Sequence, residues 1–519
     1  MATWSGCLRV ARARTGTVSH GCRFVEHALR TPVSPRGFST GKTTRQDFFK
    51  DLEAQLKAFR EKAAAVLPTS GWTPPEINPD PPPERADVVI VGGGVVGWSV
   101  AYWLKRKQKF PERFEVVVVE KDPTYSQAST VLSAGGIRQQ FSMLENIRLS
   151  LDSSMFLKNI NEHLHVLNED PIDLQFNHSG YLFLASEKGA EVMEENHLLQ
   201  RNVGAKVALF SPTQLKEKFP WINTDGVALA SYGLENEGWF DPWTLLNAFR
   251  RKAMSMGVHQ CFGDVKGFKI VNNKIHNVIV SIVATVNIVI CSSAGEIKTP
   301  LVFSFVFSEC PPEHGDAAGA NSSGAVRFVS LCKDCPQSAI RVLETCLFCA
   351  PSQSPSRYIY VVHCPDGPGL DMPFVIDYSG FYIRREGLGG NYITGKSPEE
   401  EEEPDTGDLE VDHEFFHEQV WPRLASRIPC FESLKVTSAW AGYYDYNTFD
   451  QNGIVGQHPL VENMYFATGF SGHGLQQAPA VGRAVAELIL DYKYTTLDLK
   501  ALGFMRILTS SPKLERNII

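Results

Sequence analysis

The run Asp87-Val-Val-Ile-Val-Gly-Gly-Gly-Val-Val-Gly97 holds residues suited to one piece of chemistry, the capture of a pyrophosphate. Gly92 permits a tight turn, Gly94 lets the backbone approach phosphate oxygens, and Gly97 lets a helix lie close on the preceding strand. The first N–H groups of that helix lack intrahelical partners and carry the positive end of its dipole, so an anion is favoured there. Glu120 ends the next apolar run, Val116-Val-Val-Val119. A carboxylate in that place can accept both hydroxyls of an adenosine ribose, and it disfavours the 2′-phosphate of NADP.

A second group follows the same logic far along the chain. In Met464-Tyr-Phe-Ala-Thr-Gly-Phe-Ser-Gly-His-Gly474 an apolar run meets Gly469, Gly472 and Gly474. A helical pattern then continues from about Ala478 through Val481, Ala484, Val485 and Leu488. One such turn binds a pyrophosphate. A second one suits the isoalloxazine end of an extended flavin, where a helix dipole stabilises negative charge on the reduced ring.

The elements that must position these turns are legible in outline. Residues 88–91 and 116–119 read as buried β-branched strands, with a helix between them through Val100, Ala101 and Leu104. A helix is expected around 151–166, a strand at 180–185 and a helix after Ser211-Pro212. The run 278–291 reads as one buried strand. Alternation at 358–362 and 380–384 predicts strands of an antiparallel sheet, and the acidic run 399–403 a solvated loop. Residues 227–243 hold Tyr232, Trp239, Phe240 and Trp243, and the aromatic stretch 239–243 could serve as a contact surface.

Upstream of Asp87 the chain changes character. Residues 1–45 carry Arg9, Arg12, Arg14, Arg23, Arg30, Arg36, Lys42 and Arg45 against one acid, Glu26, and have no long apolar core. That is the composition of a mitochondrial transit peptide, with cleavage expected after Phe38 and the mature protein in the matrix. Residues 46–65 place Phe48, Phe49, Leu52, Leu56 and Phe59 at helical spacing, and the proline-rich stretch that follows reads as a linker, so 46–85 precedes the folded domain.

The chain has 519 residues, 43% of them hydrophobic, and a formal net charge of −8. An acidic chain with no basic surface argues against nucleic acid as a partner. No apolar run approaches the ~20 residues that span a bilayer, so membrane contact is expected to be peripheral at most, on the inner membrane.

Several stretches together resemble the D-amino-acid oxidase superfamily, which includes sarcosine and dimethylglycine oxidases and dehydrogenases. They are the Gly92–Gly97 turn with Glu120, Ser126-Gln-Ala-Ser129 with Ala134-Gly-Gly-Ile-Arg138, the stretch Trp440-Ala-Gly-Tyr-Tyr-Asp-Tyr-Asn-Thr-Phe-Asp450, and Gly-Phe-Ser-Gly-His-Gly474. The resemblance implies an α/β fold, in which an FAD-binding Rossmann-like domain is interleaved with an antiparallel-sheet substrate domain. On that reading 86–519 is one oxidoreductase domain. Its FAD part lies at about 86–150, 211–295 and 440–490, and its substrate part at about 151–210 and 356–439. FAD is the implied cofactor. Gly92, Gly94, Gly97 and Glu120 would hold its adenosine diphosphate half. Ser129, Gly135 and Gly136 would line the pyrophosphate and flavin edge, and Gly469, Gly472, His473 and Gly474 would face the isoalloxazine.

The superfamily places an arginine near the flavin to hold a substrate carboxylate. Arg138 lies in the matching segment and is the expected catalytic residue, while Arg384 lies on an expected strand. The similar sarcosine oxidases carry a lysine where this chain has Gln476, which puts ordinary amine oxidation in doubt. Within the superfamily, the stretches Asn223–Gly233, Gly238–Trp243 and 440–479 are most similar to mitochondrial members that assist assembly of respiratory complex I. That implies complex I subunits or assembly intermediates as partners, with a small amine or amino acid as the alternative ligand.

Residues 286–355 depart from the family pattern. Relatives have a strand ending in Asn-Ala-Ala-Gly-Ala-Trp, where this chain has Val289-Ile-Cys-Ser-Ser-Ala-Gly-Glu296. The segment reads as sequence foreign to the family, from an unrelated exon or altered splicing. Cys332-x-x-Cys335 and Cys346-x-x-Cys349 have the spacing of a zinc knuckle, but no glycine follows either pair, so no metal is expected.

Overall fold

The computed structural model describes residues 83–282, 286–292, 301–303, 356–397 and 409–516. The expected leader, the amphipathic helix 46–65, most of the linker, the acidic run 399–403 and the paired cysteines at 332–349 lie outside the described residues.

The strand Val88–Val91 is buried on both faces, and its side chains alternate between two cores. Val88 and Ile90, with Val116 and Val118 of the neighbouring strand Val116–Glu120, face a helical layer. Val89, Val91, Val117 and Val119 face Phe268, Ile270, Val278 and Val280 on the other side. An uninterrupted β-branched run is thus what a middle layer requires. The sheet has six strands, in the order Ile454–Gln457, Met464–Thr468, Leu301–Phe303, Val88–Val91, Val116–Glu120 and Val258–Phe262. All pairs are parallel except that of Ile454–Gln457 with Met464–Thr468.

The helical layer contains Val95–Lys107, Leu144–Lys158, Pro242–Ser255 and Gly474–Asp491. The opposite layer is a four-stranded sheet, Arg85–Ala86, Val286–Ser292, Lys274–Ile282 and Asp264–Val271. The run 278–291, expected as one strand, is therefore two antiparallel strands. Apolar content alone does not report a reversal of direction.

An eight-stranded, largely antiparallel sheet forms the second half. Its order is Lys435–Tyr443, Ser356–His363, Asn391–Lys396, Phe381–Glu386, Phe374–Ile376, Tyr181–Ala185, Leu229–Gly233 and Val207–Phe210. One face packs on Phe416, Leu424 and Phe431 to make a third core. A separate two-stranded antiparallel pair joins Gly136–Ile137 to Gly238–Trp239.

Three further expectations differ from the structure. Leu229–Gly233, expected in the FAD part at 211–295, pairs into the large sheet. The helix expected at 151–166 is Leu144–Lys158 followed by Ile160–Leu164, and its apolar side lies in the core of the nucleotide-type half. The last major helix starts at Gly474, not 478, and holds Pro479 inside it. Proline ordinarily marks the first turn of a helix, which displaces the apparent start. Of the segment expected to be foreign, Leu301–Phe303 occupies a central place in the parallel sheet.

Candidate functional site

The first glycine turn does what its spacing demands. Gly92 has φ +99° and donates its N–H to Val119 O at 2.8 Å as the chain leaves the strand. A Cβ on Gly97 would lie 2.1 Å from Gly92 O, so helix and turn touch through backbone alone. Gly94 differs. Its φ is −64°, open to any residue, and a Cβ there would meet only Thr130 Oγ1, at 3.5 Å. No atom of the described residues requires glycine at 94. The glycine leaves a cradle that a side chain would fill, beside a helix N-terminus with no acidic residue in its first turn.

Glu120 caps this turn. Its Oε2 accepts the Gly93 N–H at 2.7 Å and its Oε1 accepts the Asp122 N–H at 2.9 Å. Burial raises its pKa, against these N–H bonds, which lower it. A carboxylate has about four lone-pair sites, so further acceptor capacity remains for ribose hydroxyls. Thr130, which sequence reasoning missed, accepts the Val95 N–H at 3.3 Å.

The second turn is clasped by the segment before it. Gly469, Ser471 and Gly472 all have positive φ, at +69°, +47° and +85°. The Asp445 carboxylate accepts the N–H of Gly469 at 2.6 Å and of Phe470 at 3.3 Å, and Asp445 O accepts the Ser471 N–H at 2.7 Å. Tyr444 donates its hydroxyl to Ser471 O at 2.6 Å, and a Cβ on Gly472 would strike the same ring at 2.7 Å. Burial pushes the Asp445 carboxyl up to about 7. Asp445 and Tyr444 lie within the motif that carries the family resemblance, but nothing in their types announces the clasp.

Ser129, Gly135 and Gly136 join the halves. Ser129 Oγ donates to Tyr443 O at 2.6 Å, so its hydroxyl ties the first region to the clasp. Gly135 has φ +80°, and a Cβ would lie 2.3 Å from Phe240 O. At Gly136 a Cβ would lie 1.5 Å from the Tyr181 hydroxyl, on the large sheet.

Arg138, expected to hold a substrate carboxylate, is enclosed. It is 1% exposed, with its guanidinium over the Phe141 ring at 4.6 Å and the Phe183 ring at 4.9 Å. Its Nη2 contacts His473 Nε2 at 3.1 Å. Its main-chain N–H donates to Gln476 Oε1 at 2.9 Å, and Ser150 Oγ donates to its carbonyl. Burial lowers its pKa, opposed by Tyr181, Glu515, Glu237 and Tyr444. Gln476 therefore serves as an acceptor, a task a lysine cannot perform. In this arrangement Arg138 Nη2 stands against His473 and holds that ring in place.

Arg384 packs over Trp239 at 4.4 Å and donates Nε to Ala134 O at 2.7 Å, with Nη1 on Arg385 O and on the Glu386 carboxylate. It braces the 134–136 turn from the large sheet. The expected aromatic contact surface is mostly internal, since Phe240 is fully buried, Trp239 lies under Arg384, and only Trp243 of the pair of tryptophans is 40% exposed.

Glu237, also missed, is buried at this junction. It accepts the Gln139 N–H at 2.8 Å and the Gln140 amide at 2.8 Å, and burial pushes its carboxyl up to about 7. A Cβ on Gly233 would lie 1.9 Å from its Oε2, so the glycine makes room for the acid.

Two glycine turns, each leading from a strand of one largely parallel sheet into a helix N-terminus, with a largely antiparallel sheet meeting them at Gly136 and Tyr181, define a dinucleotide-type oxidoreductase fold. The sequence pattern of the FAD dependent oxidoreductase family matches residues 87–324 and 336–488, and the chain belongs to that family. The match runs through much of the segment expected to be foreign. The chain is 58% identical over 485 residues to FAD-dependent oxidoreductase domain-containing protein 1 of Xenopus laevis, covering 93% of this chain and 95% of the relative. It is 53% identical over 486 residues to the Bos taurus protein of the same name, covering 93% and 97%. Among solved structures it is similar to L-proline dehydrogenase from P. horikoshii, with a TM-score of 0.63 and 26% identity over 83% of this chain and all of that one.

Proposed function

We propose that this chain binds FAD and acts as a mitochondrial flavoprotein that supports assembly or stability of respiratory complex I. The residues present fit the cofactor. Gly94 offers a cradle that the protein's own atoms leave open, Glu120 keeps acceptor capacity, and the turn at 469–474 leads into a helix N-terminus. Hydride acceptance at a C–N bond is the chemistry FAD supplies when bound.

One observation favours an assembly role over amino-acid turnover. The two positions that would offer cations to a carboxylate are altered: Arg138 is enclosed with Nη2 against His473, and position 476 is a glutamine bonded to the Arg138 main chain. The Arg-rich leader supports a matrix location. The second reading, an active oxidase or dehydrogenase of an amino acid or N-methyl amine, is favoured by membership of the FAD dependent oxidoreductase family.

The test has two arms. Purified protein is mixed anaerobically with amino acids and N-methyl amines while flavin absorbance is followed. Tagged protein is captured from mitochondria, and complex I intermediates are quantified with and without it. Co-capture and loss of intermediates on depletion, without flavin bleaching, support the assembly role. Bleaching by one substrate class, with complex I unaffected, overturns it in favour of the enzyme.

A further inference from the structure

We propose that Arg138 locks His473 in the neutral tautomer protonated on Nδ1, so that His473 presents a fixed N–H donor to the cleft beside the 469–474 turn. The inference rests on the FAD reading for what the donor meets, an acceptor atom of the isoalloxazine; the lock itself does not.

A guanidinium can only donate. Arg138 Nη2 stands 3.1 Å from His473 Nε2, so Nε2 must offer its lone pair. In a neutral imidazole the single proton is then on Nδ1. The arginine cannot swing away. Its head lies between Phe141 and Phe183, its N–H is bonded to Gln476, and its carbonyl takes the Ser150 hydroxyl. The imidazole is held as firmly, edge to face with Phe141 at 5.1 Å and 89°.

The other ring nitrogen is available. His473 is 6% exposed, and its Nδ1 has no partner among the described residues, yet it is not one of the sealed, unpaired polar atoms. Directly after it come Gly474 and Leu475, whose N–H groups open the helix and have no intrahelical acceptor. His473 thus adds a side-chain donor to a row of backbone donors.

Protonating the ring would set an imidazolium against the guanidinium in a buried site. Both burial and Arg138 drive the His473 pKa well below its usual value. The other ionisable groups facing the pair are Tyr181, Glu237, Glu515 and Tyr444, and they act on Arg138. The consequence is a donor that does not switch across physiological pH, unlike an ordinary histidine.

The experiment uses the holoprotein labelled with ¹⁵N-histidine, with His473 assigned by the signal lost in His473→Gln. Between about pH 5 and about pH 8 the ring should keep the neutral Nδ1–H pattern throughout. In Arg138→Leu it should titrate, and the Nε2–H tautomer should appear. Arg138→Lys, which keeps a donor, should retain the lock and guards against a Leu variant that does not fold. FAD affinity should fall about tenfold in His473→Leu, while His473→Gln, with an amide N–H, should hold it closer to wild type. A wild-type His473 that titrates near its free value, or carries its proton on Nε2, overturns the lock whether or not FAD binds. A locked ring with unchanged FAD affinity in His473→Leu overturns the donor. A locked ring in a protein that takes no FAD supports the lock and overturns the cofactor reading instead.

Discussion

At the residue scale, the glycines of the first turn separate what the protein needs from what a ligand needs. Gly97 is required by packing, since a Cβ would sit 2.1 Å from a backbone oxygen that cannot move away cheaply. Gly94 is not required by any described protein atom. Gly94→Val should therefore lose its visible flavin absorbance while its thermal melt stays near that of the flavin-free wild type, within about 1 kcal/mol, the size of an N-cap change. Gly97→Val should lose both, at a cost of about 3 kcal/mol or more, because helix and turn are forced apart. A Gly94→Val protein that keeps full flavin would remove the cofactor assignment. These roles were legible in the sequence because a turn's demands are local. Arg138 and His473 were each singled out from the sequence, but not their pairing. They lie 335 residues apart, and only the fold brings a donor-only group against an imidazole. Glu237 and Asp445 carried no signal, since a buried acid in sequence is indistinguishable from a solvated one.

At the element scale, the strands and helices around the turns could be read from β-branched runs and helical spacing, but the C-terminal segment could not. Residues 505–516 show little periodicity, and the structure ties them down through buried polar contacts instead. Arg506 meets Asp450 through Nε at 2.6 Å and Nη2 at 2.9 Å, both side chains almost fully buried. Asp450 also accepts the Lys513 N–H at 3.0 Å. Beyond it, Glu515 accepts the Ser142 N–H at 2.6 Å and the Asn146 amide at 2.9 Å, and the Gln477 amide donates to Asn146 at 3.2 Å. The tail thereby reaches the helix that carries the second turn. Removing one partner of a buried pair leaves the other charge uncompensated, so Asp450→Ala should cost about 3–5 kcal/mol. Urea unfolding should show this as a lower midpoint with an unchanged slope. A loss below about 1 kcal/mol, the size of an exposed pair, would mean that the tail is not held through Asp450.

At the scale of the whole molecule, the two halves meet over ionisable groups that water does not reach, and this couples stability to pH. Glu237 lies at that junction, bonded to Gln139 and Gln140 on one side and, through its carbonyl, to the Gly180 N–H at the edge of the large sheet. Burial holds its carboxyl at about 7, against an ordinary value of 4.5. Between those values the folded protein binds a proton that the unfolded chain does not. Its contribution is therefore fully present at low pH and is lost as pH rises from about 4.5 through about 7. Asp445, raised to about 7 for the same reason, acts in the same direction. His473 acts oppositely, because its lowered pKa makes acid, not base, the destabilising side. The total profile mixes these terms, but a difference isolates one of them. Glu237→Gln cannot ionise, so its stability should fall less steeply than wild type over the same window, and the gap between the two should narrow as pH rises. Chemical unfolding at several pH values gives that difference directly. A gap that stays constant from pH 4.5 to 7 would show that the acid is already ionised in the fold. The junction would then be held by a charged carboxylate beside Arg138, not by a neutral one.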